Sequence, residues 1–190
     1  MTIGVLALQG GFEEHRAMLS RIGVNSFEIR DSSHLNREMD GLIIPGGEST
    51  VMGRLLHTRK LFDPLKDMIA EGLPVFGTCA GLILLAHDVE GQQSHHLGTL
   101  PISVRRNGYG RQLGSFHISG FFTGIGHIPM RFIRAPFITS CGSGVRPLAY
   151  HEGRIIAAES DTCLVTAFHP ELTEDPGIHR YFLKKVACTL

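Results

Sequence analysis

Pro74-Val75-Phe76-Gly77-Thr78-Cys79-Ala80-Gly81 runs directly into Leu82-Ile83-Leu84-Leu85-Ala86. The order is a short apolar strand, a tight turn centred on a cysteine, and a helix. Gly-x-Cys-x-Gly has the build of the Gly-x-Ser-x-Gly nucleophile elbow, with a thiol in place of the hydroxyl. Small residues flank the nucleophile because a strained turn leaves no room for bulk. The helix that follows would aim its first N–H groups at the sulfur and favour the thiolate.

Two further segments repeat that plan upstream. Ile3 to Leu8 is an apolar strand ending in Gln9-Gly10-Gly11, with a helix expected from about Phe12 to Ile22. Gly41-Leu42-Ile43-Ile44-Pro45 ends in Gly46-Gly47-Glu48-Ser49, with a helix expected from about Thr50 to Leu56 and Ser49 as its cap. Ser26 to Arg30 reads as a short strand, and Asp63 to Glu71 as a helix with Pro64 in its first turn. Continuous Val/Ile/Leu strands alternating with helices predict a parallel sheet covered on both faces, an α/β fold. Ligands of such sheets bind beyond the carboxyl ends of the strands, where Gln9-Gly10, Gly46-Gly47-Glu48 and Cys79 all fall.

From Leu100 to Ala158 the character changes. Shorter strand-like stretches follow one another: Ile102 to Arg106, Phe116 to Phe122, Met130 to Ile133, Val145 to His151 and Arg154 to Glu159. They predict an antiparallel extension, with Glu152-Gly153 as a hairpin turn. The apolar strand Cys163 to Phe168 returns to the first pattern, and a helix from about Gly177 to Ala187 follows. No repeat, linker or low-complexity segment interrupts residues 1–190, which read as a single domain.

The composition, 43% hydrophobic and 19% charged, is that of a globular chain. Lysine plus arginine and aspartate plus glutamate balance at 18 each, so no general attraction to nucleic acid or to an anionic membrane is expected. No stretch approaches the roughly 20 apolar residues of a membrane span. Met1 to Leu8 lacks a basic leader and reads as a core strand. Cys79, Cys141, Cys163 and Cys188 show no CxxC spacing, and reduced thiols in a cytoplasmic setting are expected. Cys141, Cys163 and Cys188 lack an elbow and read as structural. The adjacent His95-His96 read as solvated loop residues, and neither metal nor cofactor is expected.

A thiol nucleophile needs a base, and the base an orienting group. Phe168-His169-Pro170-Glu171 supplies both just past an apolar strand. In an extended His-x-Glu the two side chains share a face, so Glu171 can accept the imidazole's distal N–H while Pro170 restrains the backbone between them. The expected chemistry is acyl transfer from a carboxamide: Cys79 attacks, His169 protonates departing ammonia, and water resolves the thioester. The N–H of Ala80 and the backbone of Gly47 are the candidate oxyanion donors.

Together these segments resemble the triad-type glutamine amidotransferases. Ala7-Leu8-Gln9-Gly10, Gly41 to Thr50, Gly77 to Gly81, Arg106-Asn107 with Gly110-Arg111-Gln112, Phe132-Ile133-Arg134-Ala135-Pro136 and Thr166 to Thr173 are similar to the glutaminase subunits of pyridoxal 5′-phosphate synthase. The resemblance implies a flavodoxin-like three-layer α/β/α fold and hydrolysis of L-glutamine by a Cys79, His169, Glu171 triad. It implies a glutamine pocket of Gly46, Gly47, Glu48, Arg106, Ile133 and Arg134. It also implies a hetero-oligomer with the larger synthase subunit, which receives the ammonia, with Gln9-Gly10 among the contact candidates. A guanidinium suits the substrate α-carboxylate and a carboxylate its α-ammonium. One departure stands out. Relatives commonly read Arg-Gln-x-Asp-Ser-Phe-Glu where this chain has Arg111-Gln112-Leu113-Gly114-Ser115-Phe116-His117, so two acidic positions have become Gly114 and His117. The alternatives are a free-standing cysteine hydrolase on the same fold and a catalytically silent regulatory subunit.

Overall fold

The structure is a computed structural model that describes residues 1–91, 96–108 and 114–189. His95 and the Gly110-Arg111-Gln112 segment lie outside the described residues. The first half is built on four parallel strands, β1 (Thr2–Leu6), β2 (Asn25–Ile29), β3 (Gly41–Ile44) and β4 (Val75–Thr78). Its helices are α1 (Phe12–Arg21), α2 (Ser49–Thr58), α3 (Phe62–Ala70) and α4 (Ala80–Leu85). A short strand β5 (Ala86–Val89) follows, then β6 (Leu100–Arg105), β7 (Ser115–Phe122), β8 (Gly126–Ile133), β9 (Phe137–Cys141), β10 (Arg146–His151), β11 (Arg154–Glu159) and β12 (Cys163–Thr166). Helix α5 (Gly177–Ala187) comes last.

Among the described residues all these strands join one curled sheet. Its path is β2-β1-β3-β4-β12-β11-β10-β7-β8, and β9 branches from β11 to carry β6 and β5. From β2 to β12 the pairings are parallel; from β12 to β8 they are antiparallel. The parallel part has the doubly wound order in which the chain leaves β1 for β2 on one side and returns to β3 on the other. That reversal opens a crevice beyond the carboxyl ends of β1 and β3.

The two strand classes differ in burial as their sequences predict. β3, β4 and β12 are buried at every position, because helices cover both faces. β7 alternates exposed and half-buried positions, with one face toward solvent. On β4 the period of two is directly visible. Phe76 and Thr78 face α1 and α5, where they meet His15, His179 and Phe182. Gly77 faces α4, and a Cβ there would lie 2.7 Å from Leu85 and 2.8 Å from the Gly81 backbone.

The Glu152-Gly153 hairpin forms as expected, both residues having positive φ, 49° and 73°. Other expectations need correction. The helix after the elbow ends at Leu85, and Ala86 opens β5, a boundary hidden inside one apolar run. β8 begins at Gly126 rather than Met130. Pro129 obscures it in the sequence, and is tolerated because β8 ends the strand path, leaving an edge where proline's missing N–H costs no ladder bond. The strand Phe137–Cys141 is a further addition to the expected elements. No described helix is long and apolar enough to cross a membrane.

Gly81 lets α4 lie on β3: a Cβ there would sit 2.0 Å from the Ile44 carbonyl oxygen, which is backbone and cannot swing aside. Gly81→Ala should therefore destabilise the fold by about 1–3 kcal/mol, read from the denaturant midpoint at unchanged slope.

Candidate active site

Cys79 follows β4 with φ 46° and ψ −94°, a conformation costly for a residue with a Cβ. Two backbone bonds maintain it. The Cys79 N–H donates to the Thr166 carbonyl on β12 at 2.8 Å, and the Cys79 carbonyl accepts from the Ile83 N–H on α4 at 3.2 Å. The Sγ lies 3.9 Å from the Ile133 carbonyl oxygen, so Ile133 meets the sulfur through its backbone. Ala80 is the first residue of α4; its N–H has no carbonyl one turn back to accept it.

His169 leaves β12 beside the elbow, its N–H donating to the Arg131 carbonyl of β8 at 2.8 Å. The sequence predicts an extended His-x-Glu. Instead Pro170–Leu172 forms a 3₁₀ turn, and Glu171 curls back under the imidazole. The consequence is as expected: His169 Nδ1 and Glu171 Oε1 are 2.8 Å apart. Glu171's side chain is wholly buried and His169's is 10% exposed. Burial works against the imidazolium, but hydrogen bonds to Cys79 and Glu171 and the charges of both outweigh it, raising His169 to about 10. The Nδ1 bond to Glu171 leaves Nε2 for the sulfur and the reacting atoms.

Gly46 is bare for a steric reason. A Cβ there would fall 2.2 Å from His169 Cε1, so the ring reaches its position only over a bare backbone. Gly47 faces Gln9 in the same way, and the Glu48 N–H donates to Gln9 Oε1 at 2.6 Å. The loop after β3 is thus tied to the loop after β1 across the crevice.

The expected cap of α2 is corrected. Glu48 caps it, its carboxylate accepting from the N–H groups of Thr50 at 3.2 Å and Val51 at 2.8 Å. Ser49 is the first helical residue, and its buried hydroxyl has no hydrogen-bond partner among the described residues. Arg106 reaches across to Glu48 Oε1 at 3.3 Å and Thr50 Oγ1 at 3.4 Å. Slight burial would raise the Glu48 carboxyl, but the Val51 and Thr50 N–H groups and the Arg106 charge hold it below the usual carboxylate range.

A cleft of about 420 Å³ gathers these groups. Cys79, His169, Glu171, Gly46, Gly47, Glu48, Arg106, Ile133 and Arg134 all line it, with Gln9, Glu14 and Asn107. That size suits a small polar molecule. Ala80, next to Cys79 in the chain, is buried, 1% exposed. Sequence reasoning missed the layer behind Glu171, where buried His15, Thr78 and His179 stand. Single histidines within amphipathic helices carry no pattern that would mark them. The other thiols differ from Cys79 in setting: burial pushes Cys163 up to about 12 and raises Cys141. Among the described residues no group of His, Cys, Asp and Glu could hold a metal ion. His117 stands opposite Arg131 in the β7–β8 register, so the replaced acidic position faces an arginine.

Two tests follow from this geometry. Gly46→Ala should displace His169 and lower turnover about a hundredfold with the fold retained, checked by steady-state kinetics beside circular dichroism. The raised His169 value stabilises the folded state fully below its ordinary value near 6.5, and that contribution is lost as pH rises toward about 10. Glu171→Gln removes part of the shift, so thermal midpoints across this window should fall less steeply in the variant than in wild type.

Comparison with known proteins places the chain in a family. The pattern of the SNO glutamine amidotransferase family matches residues 5–188. The chain is 56% identical over 189 residues, covering 100% of both chains, to a protein of Methanocorpusculum labreanum named pyridoxal 5′-phosphate synthase subunit PdxT. A Streptococcus pneumoniae protein of the same name is 50% identical over 96% of both chains. A crystal structure of a glutamine amidotransferase superposes with a TM-score of 0.93 at 42% identity, covering 97% of this chain and 98% of that one. A putative GMP synthase component from Thermoplasma acidophilum, at TM-score 0.70 and 21% identity, covers 100% of this chain and 95% of that one and shares the fold. With its elbow cysteine, its His-Glu pair and a pattern match over nearly its whole length, this chain belongs to the SNO glutamine amidotransferase family.

Proposed function

We propose that this protein is the glutaminase subunit of a pyridoxal 5′-phosphate synthase, hydrolysing L-glutamine to L-glutamate and ammonia. The observation that carries the reading is one cleft in which Cys79 stands on a strained elbow beside a His169–Glu171 pair at 2.8 Å. Relatives at 50% and 56% identity named as PdxT support the assignment to vitamin B6 biosynthesis.

The steps run as acyl transfer. The Cys79 thiolate attacks the side-chain amide carbon, and the carbonyl π electrons move onto oxygen. The Ala80 and Gly47 N–H groups are the donors to that oxyanion. The C–N bond breaks as the His169 imidazolium gives its Nε2 proton to the leaving nitrogen, which departs as ammonia. Water then attacks the thioester carbon, His169 taking its proton, and the C–S bond breaks to release glutamate and restore the thiolate. Glu171 stays ionised throughout and holds the imidazole. Arg106 and Arg134 supply guanidinium for the substrate α-carboxylate, and Glu48 a carboxylate for its α-ammonium, with Gly46, Gly47 and Ile133 completing the pocket. The reaction draws on no cofactor or metal.

Ammonia is neutral and diffusible, so its use in synthesis calls for a second protein seated over this cleft. The partner is the PdxS-type synthase subunit, in a hetero-oligomer assembled in the cytoplasm, with Gln9-Gly10 at the contact. The free-standing hydrolase and the silent subunit draw support from no particular observation.

Ammonia release from L-glutamine, measured with and without the synthase subunit, tests the reading. Wild type should turn over faster in the complex, and Cys79→Ala should be inactive in both states. His169→Ala should approach the Cys79→Ala loss, while Glu171→Gln should cost less, since it orients rather than reacts. Wild-type turnover in Cys79→Ala would refute the mechanism.

A further inference from the structure

Glu171 has two carboxylate oxygens and His169 occupies one. The other, Oε2, faces the interior of the α1/β4/α5 layer, 3.4 Å from His15 Nε2. Both side chains are wholly buried. His15 Nε2 also lies 3.2 Å from Thr78 Oγ1, on the residue before the nucleophile. On its other side, His15 Nδ1 lies 3.0 Å from His179 Nε2 of α5. Phe76 packs edge-on against both imidazoles, with centroids at 5.8 Å and 5.9 Å. A line of buried polar groups therefore runs from His179 through His15 to Glu171, then to His169 and Cys79.

One protonation pattern suits this line. Between His15 Nδ1 and His179 Nε2 one nitrogen must donate and the other accept. If His15 Nδ1 donated, its Nε2 lone pair would face the Glu171 carboxylate, and His179 would bury an Nδ1–H without a partner. If His179 Nε2–H donates, His15 presents Nε2–H toward Thr78 Oγ1 at 3.2 Å and toward Glu171 Oε2 at 3.4 Å, an oxygen that has no hydrogen-bond partner among the described residues, and His179 Nδ1 is left as an unpaired acceptor. An unpaired acceptor is the milder loss, and the unpartnered carboxylate oxygen then faces a donor rather than a lone pair.

We propose that His15 is a positioning residue for the triad carboxylate, held in its donating tautomer by His179. It acts through Glu171 on His169 and Cys79 and touches no substrate. Its surroundings keep it neutral: burial first, then repulsion by charge on the neighbouring imidazoles, of which His169 is the one that carries it near neutral pH, hold His15 well below the ordinary histidine value. His179 is lowered to about 3, by burial and then by the Arg21 charge. The groups facing His15 are Thr78 on β4, Glu171 on the 3₁₀ turn, His169 at the end of β12 and His179 on α5. Neutrality matters, because a charged His15 would compete with His169 for the carboxylate and weaken the imidazolium that the thiolate needs. A neutral donor orients Glu171 without neutralising it.

The inference rests on the glutaminase reading, and its test separates the two. His15→Leu, His15→Gln, His179→Phe and the Leu/Phe double variant would be compared with wild type. The readouts are kcat and KM for glutamine in the synthase complex, thermal midpoint, and the rate of Cys79 alkylation by iodoacetamide between about pH 5 and pH 9. His15→Leu should lower kcat about ten- to a hundredfold with KM changed less than about twofold. It should also slow alkylation more at the acid end of the range than at the alkaline end. Gln places an amide N–H where Nε2–H stood, so His15→Gln should recover kcat to within about fivefold of wild type. His179→Phe should share part of the His15→Leu loss, and the double variant should lose no more than His15→Leu alone. Wild-type kcat and alkylation profile in a folded His15→Leu would overturn the proposal. So would equal losses in Leu and Gln variants that track a fallen thermal midpoint, since the histidine would then be packing alone. A wild type that hydrolyses no glutamine sinks the glutaminase reading instead, and the alkylation profiles still decide the role of His15.

Discussion

The parallel pairing of β4 with β12, Val75 opposite Cys163 through Thr78 opposite Thr166, is the constraint on which the site depends. It puts the ends of two strands far apart in sequence side by side, with Cys79 one residue past the first and His169 three past the second. The same neighbour supplies the Thr166 carbonyl that accepts the Cys79 N–H, so the strained elbow is held by the strand that leads to His169. A slip of one residue would turn Phe76 and Thr78 away from α1 and α5 and separate Cys79 from His169. Buried apolar side chains on both faces make that slip costly.

Around this pairing the chain places its charges by burial. Cys79, His169 and Glu171 all line the cleft, but the Glu171 side chain is wholly buried while that of His169 keeps 10% exposure. Behind Glu171 the interior holds two histidines that burial keeps neutral. A carboxylate in such a setting needs donors, and His169 and His15 stand at its two oxygens. The arrangement concentrates positive charge on the one imidazole that faces the sulfur. At the cleft's rim the polar groups are more exposed and serve two ends: Glu48 caps α2 and pairs with Arg106, so helix start and pocket wall are a single feature.

The antiparallel half contributes through backbone more than side chains. The Ile133 carbonyl lies against the Cys79 sulfur, and the Arg131 carbonyl takes the His169 N–H. β8 therefore forms part of the wall beside Cys79 and His169. Its early residues are unreadable in sequence because Gly126 and Pro129 break the strand pattern locally, whereas pairing with β7 along its whole length holds it extended.

Much was legible in the residues themselves. Gly-x-Cys-x-Gly after an apolar strand specified the elbow because only small residues fit so tight a turn. His169-Pro170-Glu171 pointed to a paired imidazole and carboxylate, though through an extended backbone, and the structure makes the pair through a 3₁₀ turn instead. The alternation of apolar strands and helices specified the parallel sheet. The tertiary structure decided what depends on contacts between distant segments: that Gly46 is bare to admit the His169 ring, that Glu48 rather than Ser49 caps α2, and that His15 and His179 stand behind Glu171. Those roles come from packing α1 and α5 over β4, and a histidine on a helix face has no meaning until the group opposite it is known.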